Sequence, residues 1–215
     1  RKKKEKKQKK EKKNRKNKMI FSIQEIIDII VMTLVIGFIF KDFFKKRPKV
    51  EVLLPKNYDP LKKHQQMLNW DDFWFAVAVV GPSIILHEFG HKFFAISQGL
   101  AAEFHAAYTW LVLGIILKLI SFGFIFFVPA YTSIIGNGTN LQFAGVAFAG
   151  PAVNLLLWLI SAYVLKNYSK KLKGDWYHFF FLMSKINMFL FLFNMLPIPG
   201  FDGWSFFGNM FKAIF

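Results

Sequence analysis

Long apolar runs separated by polar segments make up the chain after its first 18 residues. A helix needs about 20 apolar residues to cross a bilayer. Four runs reach that length: residues 19–40, 69–99, 142–165 and 176–196. A fifth apolar stretch, residues 106–135, is interrupted by a lysine, a glycine and a proline. The pattern therefore predicts an all-α polytopic membrane protein.

The first apolar run is an imperfect membrane span. Gln24, Glu25 and Asp28 lie in its first half. Two interpretations remain open: residues 19–40 cross the membrane, or they form an amphipathic helix that lies in the interface. Residues 41–69 contain three prolines and eight Lys or Arg. They are predicted to form a polar connection to a core that occupies residues 70–215.

Positive charge is concentrated at the start of the sequence. The chain has 29 Lys and Arg against 13 Asp and Glu, and 13 of the basic residues lie within residues 1–18. This tail has no apolar residue and is predicted to be disordered. We expect it to lie on the cytoplasmic side of the plasma membrane, next to anionic lipid. Alternatives are a stretch that precedes a start at Met19, or a nucleic-acid arm; nucleic acid is not expected as a partner because no aromatic residues are interleaved for stacking.

The candidate chemistry lies in the second apolar run. The chain has no cysteine, so any bound metal needs His, Asp or Glu ligands. Residues 87–91 read H-E-F-G-H. On a helix, His87 and His91 share one face and can reach one ion, while Glu88 lies where it can take a proton from water. The alternative is two histidines bonded to neighbouring helices, with Glu88 paired to one of them.

A metal site of this kind needs a third ligand from elsewhere in the chain. Asp202 stands out because Pro197 and Pro199 precede it and end a helix, and free backbone groups at membrane depth require a protein or water-filled environment. A helix cap at the interface is the alternative for Asp202. The other candidate ligands are Glu103, His105, Asp175 and His178.

One amide lies well inside the third long apolar run. Asn154 follows a Gly-Pro pair within residues 149–154, which read A-G-P-A-V-N. Its side chain can donate to a developing oxyanion, or it can form a hydrogen bond between helices.

These three motifs occur in the order found in a known family. Residues 87–91, 149–154 and 194–203 resemble the signatures of site-2 proteases, the zinc intramembrane metalloproteases, and the residues after His91 resemble compact archaeal members. The resemblance covers about residues 70–207. It implies one Zn²⁺ per chain, held by His87, His91 and Asp202. It further implies that Glu88 activates water, that Asn154 assists catalysis, and that Asn194 contributes to substrate binding.

Convergence of the ligands on one ion constrains the topology. His87 and Asp202 each lie far along the chain from the start of their own apolar run, so both runs should enter from the same membrane face. Residues 101–141 must then begin and end on one side. We predict a re-entrant hairpin there, partly β within residues 122–135, as the family implies. With residues 19–40 crossing, the metal lies nearer the cytoplasm; with that run lying flat, the orientation is inverted.

The sequence thus predicts a zinc metalloendopeptidase that hydrolyses transmembrane segments of other proteins, with Glu88 as general base. Its expected partners are a transmembrane protein substrate and the lipid bilayer. Two other classes remain: a catalytically silent membrane scaffold of the same fold, and a metal-handling membrane protein. An intact Glu88 argues against the scaffold, because degenerate members usually lose such a residue. The ionisable residues cluster at one point, which argues against a metal-handling protein, because that class is expected to space such residues along a path.

Overall fold

A computed structural model describes residues 21–44, 70–121 and 128–215. The elements in these ranges are α1 (Ile23–Phe40), α2 (Trp70–Ser97), β1 (Ala101–Ala106), α3 (Tyr108–Leu119), β2 (Ala130–Ile135), α4 (Asn140–Tyr168), α5 (Asp175–Asn194) and α6 (Asp202–Ile214). The predicted tail, residues 1–18, and most of the predicted connection, residues 41–69, lie outside the described residues.

Four helices of the described chain are long and apolar enough to cross a membrane: α1, α2, α4 and α5. They fall on the four long apolar runs of the sequence. The helix α1 therefore meets the length and composition that the crossing interpretation of residues 19–40 requires. These helices are consistent with the predicted multi-pass membrane protein.

Local sequence explains where α1 and α4 begin. The hydroxyl of Ser22 accepts a hydrogen bond from the backbone N–H of Glu25, whose side chain bonds back to the Ser22 N–H. Thr139 and Gln142 form the same reciprocal pair at the start of α4. Each pair is a capping box, which satisfies donors that the first helical turn leaves without partners.

The described chain contains a small sheet, and the predicted partly β hairpin accounts for one of its two strands. The strands β1 and β2 pair antiparallel, with Ala101 opposite Ile135 and Ala106 opposite Ala130. The predicted hairpin placed β structure only in residues 122–135; β2 falls there, residues 122–127 lie outside the described residues, and the partner strand β1 was not predicted. The helix α3 between the strands has 12 residues, too few to cross a bilayer. Ala101 pairs with Ile135, so residues 101–135 begin and end next to each other. This agrees with the expectation that residues 101–141 begin and end on one side.

The helix α4 lies at the centre of the fold. It packs against α2, α5 and α6, while α1 packs against α2 and β1. The helices α2 and α4 approach closely at Gly90, where a Cβ would lie 2.6 Å from the carbonyl oxygen of Ala149. Small residues permit such close crossings within membranes. The contact brings the histidines of α2 against α4.

The acidic residues that interrupt the first apolar run are buried inside the protein. Glu25 and Asp28 are 4% and 2% exposed. Both accept hydrogen bonds from backbone N–H groups of β1. Their polar groups therefore contact protein, which explains how an apolar helix accommodates two carboxylates.

Candidate metal centre and active site

Three of the predicted ligands meet in one group. The Nε2 atoms of His87 and His91 lie 3.1 Å apart, and the Oδ2 atom of Asp202 lies 3.1 Å from the first and 3.3 Å from the second. Both histidines are buried. Among the described residues, these three are the group of His and acidic side chains whose ligand atoms converge closely enough to hold a metal ion.

The spacing of these atoms fits a tetrahedral metal ion. Zinc bonds of about 2.0–2.1 Å place adjacent ligand atoms about 3.3 Å apart in a tetrahedron. The three observed separations agree with that value. Three protein ligands leave one position open, which is typical of catalytic zinc rather than structural zinc. The donor set of two imidazoles and one carboxylate also suits this ion.

The charge state of Asp202 suits a ligand. Burial by itself would raise the pKa of this carboxyl, but hydrogen bonds and charge interactions with His87 and His91 outweigh burial and lower the pKa below its ordinary value. The carboxyl is therefore deprotonated at neutral pH, as metal binding requires.

Two glycines make room for the group. A Cβ at Gly150 on α4 would lie 2.8 Å from the His87 Nε2 atom and closer still to the His91 Nε2 atom. A Cβ at Gly203 would overlap the backbone of Met195, just after α5. Gly150 therefore allows α4 to pack directly against both imidazoles, and Gly203 allows the start of α6 to carry Asp202 to them.

Each histidine is oriented through its second ring nitrogen. The Nδ1 atom of His87 lies 2.6 Å from Oδ1 of Asn154, and the Nδ1 atom of His91 lies 2.7 Å from the carbonyl oxygen of Val146. Both acceptors belong to α4. Such contacts fix the ring orientation and leave Nε2 as the atom that faces the ion.

The Asn154 amide is anchored on two other helices. Its Nδ2 atom donates to the Ser83 carbonyl oxygen at 3.0 Å and to Oδ1 of Asn187 at 2.9 Å. The Asn187 amide in turn donates to the Ser83 hydroxyl at 3.0 Å. The sequence allowed Asn154 to form a hydrogen bond between helices, and the structure contains such bonds. Donation from Asn154 to an oxyanion stays a prediction, and it would require one of these bonds to break.

The predicted general base is held by β2. The Thr132 hydroxyl lies 2.9 Å from Oε2 of Glu88 and 3.1 Å from its backbone carbonyl oxygen. Glu88 is buried and lines the same cavity as the three ligands. Glu88 thus shares a cavity with the candidate ligands, whereas its action as a general base stays a prediction.

One curated protein was found to resemble the chain over most of its length. The Methanocaldococcus jannaschii protein named "Putative zinc metalloprotease MJ0611" is 33% identical over 184 residues, which are 85% of this chain and 83% of the relative. The chain belongs to this zinc metalloprotease family. No family model matches the chain. No solved structure matches it either.

In this member of a zinc metalloprotease family, the candidate metal ligands line a cavity. A cavity of about 700 Å³ lies between β2 and α5 and contains the group at its wall. One wall is formed by residues of β2, including Ala130, Thr132 and Ile134, and another by a mostly apolar face of α5 that also includes Lys185. Asn194 also lines this cavity, where a bound substrate would be within its reach. Its role in substrate binding stays a prediction.

The other four candidate ligands lie away from the group. His105 pairs with the Ser133 hydroxyl at 3.0 Å, and His178 stacks on Phe75 with ring centroids 5.5 Å apart. Glu103 and Asp175 also have ligand atoms outside the convergent group. Of the five candidates for the third position, the structure brings only Asp202 to the histidines in the described chain.

Sequence analysis did not predict three residues that form hydrogen bonds with the candidate site residues: Thr132 with Glu88, and Ser83 and Asn187 with Asn154. Thr132 and Ser83 are hydroxyl residues in apolar segments, a composition that carries little signal. Asn187 is a stronger sequence signal, because an amide inside an apolar helix usually faces another helix. Paired with Asn154, it predicts a contact between α4 and α5.

Proposed function

We propose that the protein is an intramembrane zinc metalloprotease that cuts transmembrane segments of other proteins. The observation that carries the proposal is the meeting of His87, His91 and Asp202 beside Glu88 at the wall of a cavity. The histidines and Glu88 lie on α2, a helix long and apolar enough to span a membrane. Family membership supports the metalloprotease class.

The proposed chemistry assigns one task to each residue. His87, His91 and Asp202 would hold Zn²⁺, which when bound supplies a Lewis acid that polarises a peptide carbonyl and acidifies water. The Glu88 carboxylate accepts a proton from the attacking water and later delivers it to the leaving amine. The Thr132 hydroxyl holds the Glu88 carboxylate in place. Asn154 is a positioning residue that orients the His87 ring.

A membrane helix hides its backbone bonds, so the substrate must unwind near the cut. An extended segment can be held by adding to the edge of a sheet. The outer edge of β2 lines the cavity beside Glu88. We infer that the unwound substrate adds there as a third strand, which gives its backbone the hydrogen bonds that the membrane interior does not provide.

The test uses wild type and Glu88→Gln, purified in detergent, with bound metal measured per chain and cutting measured on model membrane substrates. We expect about one zinc per chain in both proteins and cutting by the wild type alone. Glu103→Gln is the matched control, because it neutralises a carboxyl outside the metal group and should still cut. Equal activity of Glu88→Gln and wild type would refute the role of Glu88, and zinc-loaded wild type that cuts no substrate would favour the silent scaffold.

A further inference from the structure

The outer edge of β1 is covered by two carboxylates of α1. The backbone N–H of Phe104 donates to Oε1 of Glu25 at 2.7 Å, and the backbone N–H of Ala106 donates to Oδ2 of Asp28 at 3.0 Å. Both donors are buried residues of β1. The carboxylates therefore take the place that a neighbouring strand would occupy.

Helix and strand periodicities make this match possible. Outward N–H groups on one edge of a strand recur every second residue, about 6.6–6.8 Å apart. Glu25 and Asp28 are three residues apart, so they lie on one face of α1 about 4.5 Å apart along its axis. The reach of the two side chains closes the remaining difference. Successive outward donors of β1 thus meet successive acidic residues of α1.

Each carboxylate is itself held by other partners. Glu25 forms a buried ion pair with Lys92 of α2 and accepts from the Ser22 N–H at 2.7 Å. Asp28 accepts from the Tyr108 hydroxyl at 2.6 Å. These contacts come from α2, from the residue that precedes α1, and from α3. The cover over β1 is therefore fixed to three parts of the fold.

The opposite edge of the sheet faces the active-site cavity. Phe104 pairs with Thr132 and Ala106 with Ala130. Because the N–H groups of Phe104 and Ala106 point away from β2, both are non-hydrogen-bonded pairs. The N–H groups of Thr132 and Ala130 therefore also point outward, toward the cavity that these residues line.

We propose that Glu25 and Asp28 are positioning residues that close the β1 edge, so that the sheet accepts a substrate strand only at β2. The inference rests on the proposed function, because it concerns where that substrate binds. A strand on β2 lies beside Glu88, whereas a strand on the outer edge of β1 would be separated from β2 by the whole width of β1. A two-stranded ribbon is also marginal alone, so the cover on β1 supports the strand that receives substrate.

Disulfide trapping tests the choice of edge. The chain has no cysteine, so single cysteines can be placed at His105 on β1 and at Tyr131 on β2, which are directly opposite each other. The background is Glu88→Gln, which prevents cutting, and the probe is a model membrane substrate with one cysteine near its cut. Neighbouring strands are about 4.8 Å apart and disulfides need Cβ atoms about 3.5–4.5 Å apart, so each position reports on its own edge.

With Glu25 and Asp28 intact, we expect Tyr131→Cys to trap substrate about tenfold better than His105→Cys. Adding Asp28→Ala should raise trapping at His105→Cys. Asp28→Asn keeps an acceptor oxygen and should restore the preference for β2. Tyr108→Phe is the matched control, because it removes one partner of Asp28 without touching the contact with Ala106.

Kinetics in the active background give a second readout. Binding at the wrong edge is nonproductive, so Asp28→Ala should lower kcat and KM by the same factor and leave kcat/KM unchanged. A merely structural role would lower kcat/KM instead. Metal content should stay at the wild-type level.

Equal trapping at both edges with the carboxylates intact would overturn the inference, and this comparison does not depend on whether Asp28→Ala folds. Unchanged trapping in a folded Asp28→Ala protein would overturn it as well. If the wild type cuts substrate, the proposed function is unaffected by either of these results. A zinc-loaded wild type that cuts nothing would instead refute the proposed function, and with it this inference.

Discussion

The contact between Asn154 and His87 makes a quantitative prediction about metal affinity. Asn154→Ala removes the acceptor that lies 2.6 Å from the His87 Nδ1 atom, at a position with 0% exposure. Water cannot readily replace it there. Loss of such an outer contact typically weakens metal binding about 10–100-fold, which is about 1.4–2.7 kcal/mol. An unsatisfied buried polar group also costs about 1–3 kcal/mol, but this cost lowers the free energy of unfolding rather than the metal affinity.

The assay is competition for zinc between the purified protein and a chromophoric chelator, measured on the folded, monodisperse fraction. That fraction matters because Asn154→Ala also loses the bonds to Ser83 and Asn187 and should unfold at a lower temperature. Asn167→Ala is the matched control: Asn167 lies on the same helix, is exposed, and donates only to the Tyr163 carbonyl oxygen among its described contacts. Its affinity should equal that of the wild type.

The result also separates the two roles that the sequence allowed for Asn154. An orienting residue affects metal binding, whereas an oxyanion donor affects turnover at full metal occupancy. If Asn154→Ala binds zinc within about threefold of wild type but turns over far more slowly, the reasoning from the His87 contact is refuted.

Three further changes test other contacts of the site. Thr132→Val removes the hydroxyl that holds Glu88 and should lower kcat about 10–100-fold at unchanged zinc content, from a loss of about 1.5–3 kcal/mol for a hydrogen bond to a charged group; Thr132→Ser should retain most activity, and an unimpaired Thr132→Val would contradict this role. Gly150→Ala places a methyl group against both histidines and should abolish stoichiometric zinc binding, while Gly208→Ala, which meets open space, should bind normally. Asp202→Asn removes the charged ligand, so added zinc should no longer raise Tm as it does for wild type; an undiminished shift would exclude Asp202 from the metal site.

Much of the candidate site could be predicted because several of its residues are only a few positions apart in the sequence. The i, i+4 histidines share a helix face whatever the rest of the fold does. Asp202 was singled out by the prolines before it, and the structure brings it together with His87 and His91 in a group that could hold a metal ion. Long apolar runs likewise gave the four helices, because membrane spans are defined mainly by length and composition.

The missed features depend on contacts between distant segments. Strand β1 was not predicted because its six residues, A-A-E-F-H-A, have no strong strand propensity; its partner β2 and the carboxylates of α1 hold it. Glu25 and Asp28 looked like flaws in a membrane span because the sequence does not show which helix face meets protein. Their spacing was the available signal, since two acids three residues apart share one face.

The order of the metal ligands along the chain has a consequence for biosynthesis. Asp202 follows His91 by more than one hundred residues, which a ribosome adds over about 5–20 s at 5–20 residues per second. Until then the emerging chain carries only two of the three candidate ligands, and Asn187 on α5, which accepts a hydrogen bond from the Asn154 amide, is also made late. A nascent chain that ends before Asp202 therefore lacks one of the three side chains that could hold a metal ion. Under the proposed function, the separation of His91 and Asp202 along the chain delays proteolytic activity until α6 has been made.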